Sequence, residues 1–215
     1  MKKYFILTII ALITFKSNGQ EGSGNTLQGV ITTAVPFMLI AGDARSAGLA
    51  DMGAATASDA FSQQWNPAKY AFSLRKQGIG VTYTPYLSKL VNDIFLGNIT
   101  YYSRINEQSA VGASFRYFSA GEIELRETAD QVPLIVKPNE FLFDISYSLR
   151  LSDRFSMAVA GRYIRSDLKL QTAIESSKAA SSFAVDVAGY YQSEEISYDS
   201  FNGRWRGGFN ISNVG

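Results

Sequence analysis

The chain has 215 residues, enough for one sizeable domain, a net charge of +1, and neither cysteine nor histidine. Those absences exclude a disulfide framework, a thiol nucleophile, a histidine general base and a His–Cys zinc site; the near-neutral charge leaves no nucleic-acid footprint. Mean hydropathy is −0.03 although 46% of residues are hydrophobic, and 13% are aromatic, so apolar and polar residues are finely mixed, as in a β-barrel with one oily and one wet face.

Residues 1–19 carry Lys2 and Lys3, an apolar run from Tyr4 to Phe15, and then Ser17-Asn18-Gly19. This is the three-part pattern of a secretory signal peptide. The apolar core is shorter than the roughly 20 residues a bilayer needs. No cysteine follows it, which excludes a lipoprotein anchor. Its removal takes away Lys2, Lys3 and Lys16 and no acid, turning the balance from +1 to −2. Residues 20–30 are polar and glycine-rich and read as a flexible N-terminus.

Residues 31–77 are too rich in Gly and Ala for a transmembrane strand. Pro36, Gly42, Gly48, Gly53 and Pro67 break them too often for a membrane helix. They read as a compact segment packed against, or inside, what the strands build. Small residues at Gly42, Gly48, Gly53, Ala54 and Ala55 allow close backbone approach. Ser58 to Trp65 predicts a short helix with Ser58 as N-cap and Asp59 near its positive end. Asn66-Pro67 stops it, because the residue before proline avoids the α region. Trp65 is expected to wedge against the wall, its indole N–H finding an acceptor there.

Residues 78–215 change to period two. Seven runs read as strands: Gly78–Leu87, Asp93–Ile105, Ser109–Ala120, Glu140–Leu151, Phe155–Arg165, Ser182–Gln192 and Arg204–Val214. In the fourth, Phe141, Phe143, Ile145, Tyr147, Leu149 and Leu151 share one face, and Leu142, Asp144, Ser146, Ser148 and Arg150 the other. Alternation alone also fits a soluble antiparallel sandwich. Long runs, aromatics near the strand ends, and charges at Arg104, Arg116, Asp144, Arg150, Arg162, Asp186 and Arg206 on one face favour a membrane barrel with a polar lumen. Short turns at Asn106–Gln108 and Ser152–Arg154 alternate with long connections at Gly121–Asn139 and Ser166–Ser181. The connection Ser193–Gly203 is longer than its side of the barrel predicts. An odd strand number, and no terminal aromatic in Ser212-Asn213-Val214-Gly215, predict that the chain is about the N-terminal half of such a barrel.

The organising segment also resembles a known family. Ile31-Thr32-Thr33-Ala34-Val35-Pro36-Phe37, Asp43-Ala44-Arg45, Asp51-Met52-Gly53, Ser58-Asp59-Ala60 and Gln64-Trp65-Asn66-Pro67-Ala68-Lys69-Tyr70-Ala71-Phe72 are similar to the N-terminal signature of the PorV family. These are outer-membrane β-barrels of the type IX secretion system in the Bacteroidota. The shorter pattern of Asp59-Ala60 and Trp65-Asn66-Pro67-Ala68 is similar to the start of the wider FadL-like fatty-acid transporter barrels. The resemblance implies an all-β, antiparallel transmembrane barrel of FadL-like type, with an N-terminal plug marked by Pro36, Asp43, Arg45, Asp59, Trp65, Asn66 and Pro67. It implies an adaptor in outer-membrane lipid, not an enzyme, with no catalytic, cofactor or metal residues. Its implied partners are the translocon (SprA, also called Sov), cargo proteins bearing C-terminal secretion domains, and the cell-surface sortase complex.

The apolar loop stretch Val132-Pro133-Leu134-Ile135-Val136 is a candidate partner contact; Glu122, Glu124, Glu127 and Asp130 beside it read as a solvated loop face. Two other functions stay open: passive uptake of hydrophobic small molecules, and an outer-membrane enzyme. The family has been linked to lipid A deacylation, but without histidine a Ser–His triad cannot be assembled.

Overall fold

The computed structural model describes residues 35–126, 130, 132–168 and 179–214. The expected signal peptide, residues 20–30, Ile31–Ala34 of the signature and Glu127 of the loop lie outside the described residues.

The strands are β1 (Gln77–Pro85), β2 (Ile94–Arg104), β3 (Ser109–Ala120), β4 (Ile123–Leu125), β5 (Leu134–Val136), β6 (Asn139–Arg150), β7 (Phe155–Asp167), β8 (Ala180–Gln192), β9 (Ile196–Ser197), β10 (Asn202–Gly203) and β11 (Arg206–Val214). Seven form one antiparallel sheet in the order β1-β2-β3-β6-β7-β8-β11, with β1 and β11 at its edges. They coincide with the seven sequence runs, every end within two residues. The remaining four make two small hairpins inside connections, β4–β5 and β9–β10. The second accounts for the long connection after β8: Tyr198 stacks on Phe201 at 4.7 Å, and the Tyr198 N–H donates to the Phe201 carbonyl at 2.9 Å.

The two faces of the sheet differ row by row. Across β1, β2, β3, β6, β7 and β8, one register row reads Val81, Ile99, Phe115, Phe143, Tyr163, Phe183. The adjacent row reads Gly80, Thr100, Ser114, Asp144, Arg162, Ala184. The apolar row faces outward and the polar row inward: Ile145 is 56% exposed, while its neighbour Asp144 is 1% exposed. This inverts a water-soluble sheet, where the apolar face seeks the interior.

The polar face is covered by residues 35–76. They contribute a 3-10 turn (Pro36–Leu39), a short α-helix (Ala44–Gly48), one helical turn (Ser62–Trp65) and a second 3-10 turn (Pro67–Phe72). Three small apolar clusters join segment to sheet. Phe37 packs with Leu96, Leu142, Ile164 and Ala184; Tyr70 with Tyr102 and Ala110; Ala68 with Ala158, Ala188 and Tyr190. Alanine on β7 and β8 lets the segment's backbone sit close.

The helix expected after an N-cap at Ser58 begins three residues later, at Ser62, with Phe61 in the N-cap position. Asp59 causes the delay: its Oδ1 accepts from the Phe61 N–H at 3.1 Å and the Ser62 hydroxyl at 3.0 Å. A short acidic side chain thus closes a local turn that competes with the helix. Ser58 caps nothing, and its buried Oγ has no partner. Asn66 does end the helix, in an extended conformation.

Candidate functional site

The segment's irregular backbone leaves carbonyls that no helix or ladder satisfies, and a buried carbonyl without a donor is costly. Side chains of the sheet supply the donors. Thr82 Oγ1 and Asn98 Nδ2 donate to the Gly42 carbonyl at 2.5 and 3.0 Å. Arg116 reaches the carbonyls of Ile40 and Met38 at 3.2 and 3.4 Å. Thr100 Oγ1 donates to Ala60 at 2.8 Å, Ser156 Oγ to Ala68 at 2.7 Å, and Arg104 Nη1 to Ser73 at 3.0 Å. Serine, threonine, asparagine and arginine occupy the inner face because the segment needs donors there.

At the centre lies a buried charge network. Asp144 accepts Gln63 Nε2 at 2.6 Å and the Ser114 hydroxyl at 3.0 Å. Ser146 returns a bond to Gln63 Oε1 at 2.7 Å, so Gln63 is gripped at both ends of its amide. Arg162 Nη2 pairs with Asp186 at 2.8 Å, and its Nη1 donates to Asn213 Oδ1 at 2.6 Å. Its Nε stands 3.8 Å from Asp144, an ion-pair contact too long for a hydrogen bond. Asn213 reaches this site because β11 is irregular there. The register shifts between Ile211 and Val214, Asn213 takes φ 61°, and its N–H donates to Asp186 at 2.8 Å.

The signature residues divide between framing the segment and fastening it. Pro36 opens the first 3-10 turn. Asp43 caps Ala44–Gly48 by accepting the Ser46 N–H at 2.9 Å. Arg45 pairs with Asp59 at 2.8 Å across the segment's surface. The Trp65 indole N–H finds Asp43 Oδ2 at 3.4 Å, so its acceptor belongs to the segment and not to the sheet wall. Its ring covers Gly53, where a Cβ would stand 2.1 Å from Cγ. Gly48 has open space around it, so close approach is not its role. Asn66 is the strongest fastener: its Nδ2 donates to the carbonyls of Ala54 at 2.8 Å and Gly189 on β8 at 2.9 Å, and its Oδ1 caps Ala68. Pro67, with its fixed φ, starts the second 3-10 turn.

Sequence reasoning passed over Gln63, Lys69 and Tyr70 as site residues. Tyr70 stacks on Tyr102 at 4.6 Å, accepts the Gln63 N–H at 2.9 Å and donates to Ala60 at 2.9 Å. Burial holds its phenol well above the ordinary value. Lys69 is 1% exposed, and its Nζ donates to the Gly53 carbonyl at 2.8 Å and Thr56 Oγ1 at 3.1 Å. Burial lowers its pKa to about 8, partly offset by the charge of Asp59. The available signal was a polar residue inside a dense apolar-aromatic motif, since a lysine with no surface to serve needs a buried acceptor.

In the long connection, Val132, Leu134 and Ile135 are exposed and Pro133 is half-buried. Val136 departs from the expected contact stretch: it is 7% exposed and pairs with Ile123 across the β4–β5 hairpin. Glu122 pairs with Lys137, and Glu124 with Arg126 at 2.8 Å.

Among known families, the model described as type IX secretion system protein PorV matches residues 23–215. No curated protein matches the chain.

Proposed function

Because the chain belongs to the PorV family of type IX secretion system proteins, we propose that it serves that system as an outer-membrane β-barrel adaptor. The seven-stranded sheet is its wall and residues 35–76 are its plug. The observation that carries this reading is the inversion of the sheet. Arg116, Asp144, Arg162 and Asp186 are buried beneath the segment, while Ile145, Val159 and Phe183 stand exposed on the other face. A lipid-facing wall requires that arrangement.

The outer aromatics support the same reading. Tyr83–Phe95–Tyr117 and Phe141–Tyr163–Phe183 form a band of neighbouring rings, 5.0 to 6.2 Å between centroids, at the strand ends nearest the long connections. Such a band suits the level of lipid headgroups. The short turns then face the periplasm and the β4–β5 hairpin faces outward. In this role the barrel binds the translocon, takes cargo by its C-terminal domain and passes it to the cell-surface sortase complex. Val132, Leu134 and Ile135 are the residues we assign to partner contact.

The test is a mild-detergent pull-down of the tagged protein from its own outer membrane, with partners identified by mass spectrometry. A very large barrel subunit, together with proteins sharing one C-terminal domain, is the expected result. Recovery of the protein alone, or with lipid only, overturns the adaptor role and favours uptake of hydrophobic small molecules.

A further inference from the structure

At the short-turn end, the space between segment and sheet opens into a two-lobed cavity of about 830 and 410 Å³. Both lobes are bounded by Phe72, Ser73 and Leu74. Five arginines and four carboxylates line it. Arg75 and Arg206 line the larger lobe, Arg104 and Arg150 the smaller, and Arg204 both.

The carboxylates in the lining are already engaged. Asp59 pairs with Arg45 at 2.8 Å, Glu194 with Arg154 at 2.8 Å and Glu195 with Arg204 at 3.1 Å. Asp153, 98% exposed at its side chain, reaches Arg150 at 3.5 Å. Arg75, Arg104 and Arg206 therefore have no carboxylate within 4.0 Å among the described residues.

Arg104 and Arg206 are oriented by neutral acceptors instead. Arg104 donates to the carbonyls of Ser73 at 3.0 Å and Glu107 at 3.4 Å, and its buried Nε has no acceptor. Arg206 Nε donates to Gln192 Oε1 at 3.2 Å. Arg150 lies over the Phe72 ring at 5.0 Å. Carbonyl acceptors fix direction without cancelling charge, but both Nη atoms of Arg104 are engaged in this way; the guanidinium groups of Arg75 and Arg206, together in the larger lobe, are the ones that face an incoming anion.

We propose that this mouth binds a phosphate-class oxyanion, free or as the headgroup of an anionic phospholipid. Two guanidinium groups without a carboxylate partner in one lobe, Arg75 and Arg206, match a group carrying several acceptor oxygens better than a single carboxylate does. The cavity also holds more than a bare anion, and its rim is apolar: Leu74 is 98% and Ile79 68% exposed.

The experiment uses the full chain in zwitterionic detergent at fixed ionic strength. Inorganic phosphate is titrated by calorimetry. In parallel, the protein is reconstituted in phosphatidylcholine nanodiscs with or without phosphatidylglycerol, and retained lipid is counted by native mass spectrometry. The expected result is one bound equivalent of phosphate or phosphatidylglycerol, weakened at least tenfold by Arg75→Gln with Arg206→Gln. Both side chains are exposed, so the pair leaves the fold intact; Arg126→Gln, at the opposite end, leaves binding unchanged. Phosphatidylglycerol retained and displaced by phosphate identifies the headgroup as the source. Phosphate bound without lipid retention identifies the free anion. Failure of both probes to bind, or equal binding by the double variant, overturns the site.

Discussion

The sheet and the segment that covers it are held by opposite means. The sheet satisfies its backbone through its own ladder, so any side chain that suits the face suits the strand. The segment satisfies much of its backbone through side chains of the sheet, at Gly42, Ala60, Ala68 and Ser73 among others. Each of those bonds depends on one residue at one register position. The outer wall should therefore tolerate apolar exchange widely, while the inner face should be intolerant residue by residue.

The strongest way to break that contrast is at Arg162. Arg162→Met leaves Asp186 and Asp144 buried without their cation, which costs about 3–5 kcal/mol. Thermal unfolding in detergent reads this directly. An unchanged midpoint would mean that water, not Arg162, balances the two carboxylates. Next comes Ile145→Arg on the outer face. If lipid covers that face, the charge costs about 2–4 kcal/mol near the bilayer midplane. Folding yield into vesicles measures it, and a yield equal to wild type in lipid would remove the membrane reading of this wall.

Gly112 is a smaller and more local test. A Cβ there would stand 2.4 Å from Gln63 Oε1 and 2.6 Å from the Tyr70 ring. Gly112→Ala therefore overpacks the junction, at about 1–3 kcal/mol. Hydrogen exchange should quicken at the Gln63 and Tyr70 amides while the β6 and β7 amides stay protected. Equal loosening of both regions would show that the segment and sheet open as one unit.

The smallest effect is a pH dependence at Lys69. Its folded pKa, about 8, lies below the ordinary lysine value of 10.5. The unfolded chain then holds more protons between those values, so stability rises with pH through that window. From pH 8 to 9 the gain is on the order of 1 kcal/mol. Lys69→Met should flatten the rise. Parallel curves for the two proteins would assign it to another group.

The strands were legible because each inner residue has an outer neighbour in a different environment, and that difference repeats every second residue. Phe143, Asp144 and Ile145 carry it without any knowledge of partners. The signature residues were legible as a cluster but not as roles. Asp43 and Trp65 lie 22 residues apart, and Gln63 and Asp144 lie 81 apart. No local rule connects positions so distant. Ser58 misled for a related reason: a serine before a helical run is a good cap only if no nearer side chain closes the turn first, and Asp59 does.

Period and composition alone determined the all-β class, the strand positions and the division into a polar and an apolar face, because these follow from the chemistry of neighbours in the chain. Which polar residue meets which carbonyl, why Gly53 must be bare beneath Trp65, and how Asn213 reaches Arg162 were decided only by the tertiary structure. Those contacts depend on register and on a bulge, and a shift of one residue would turn every donor from the segment to the other face.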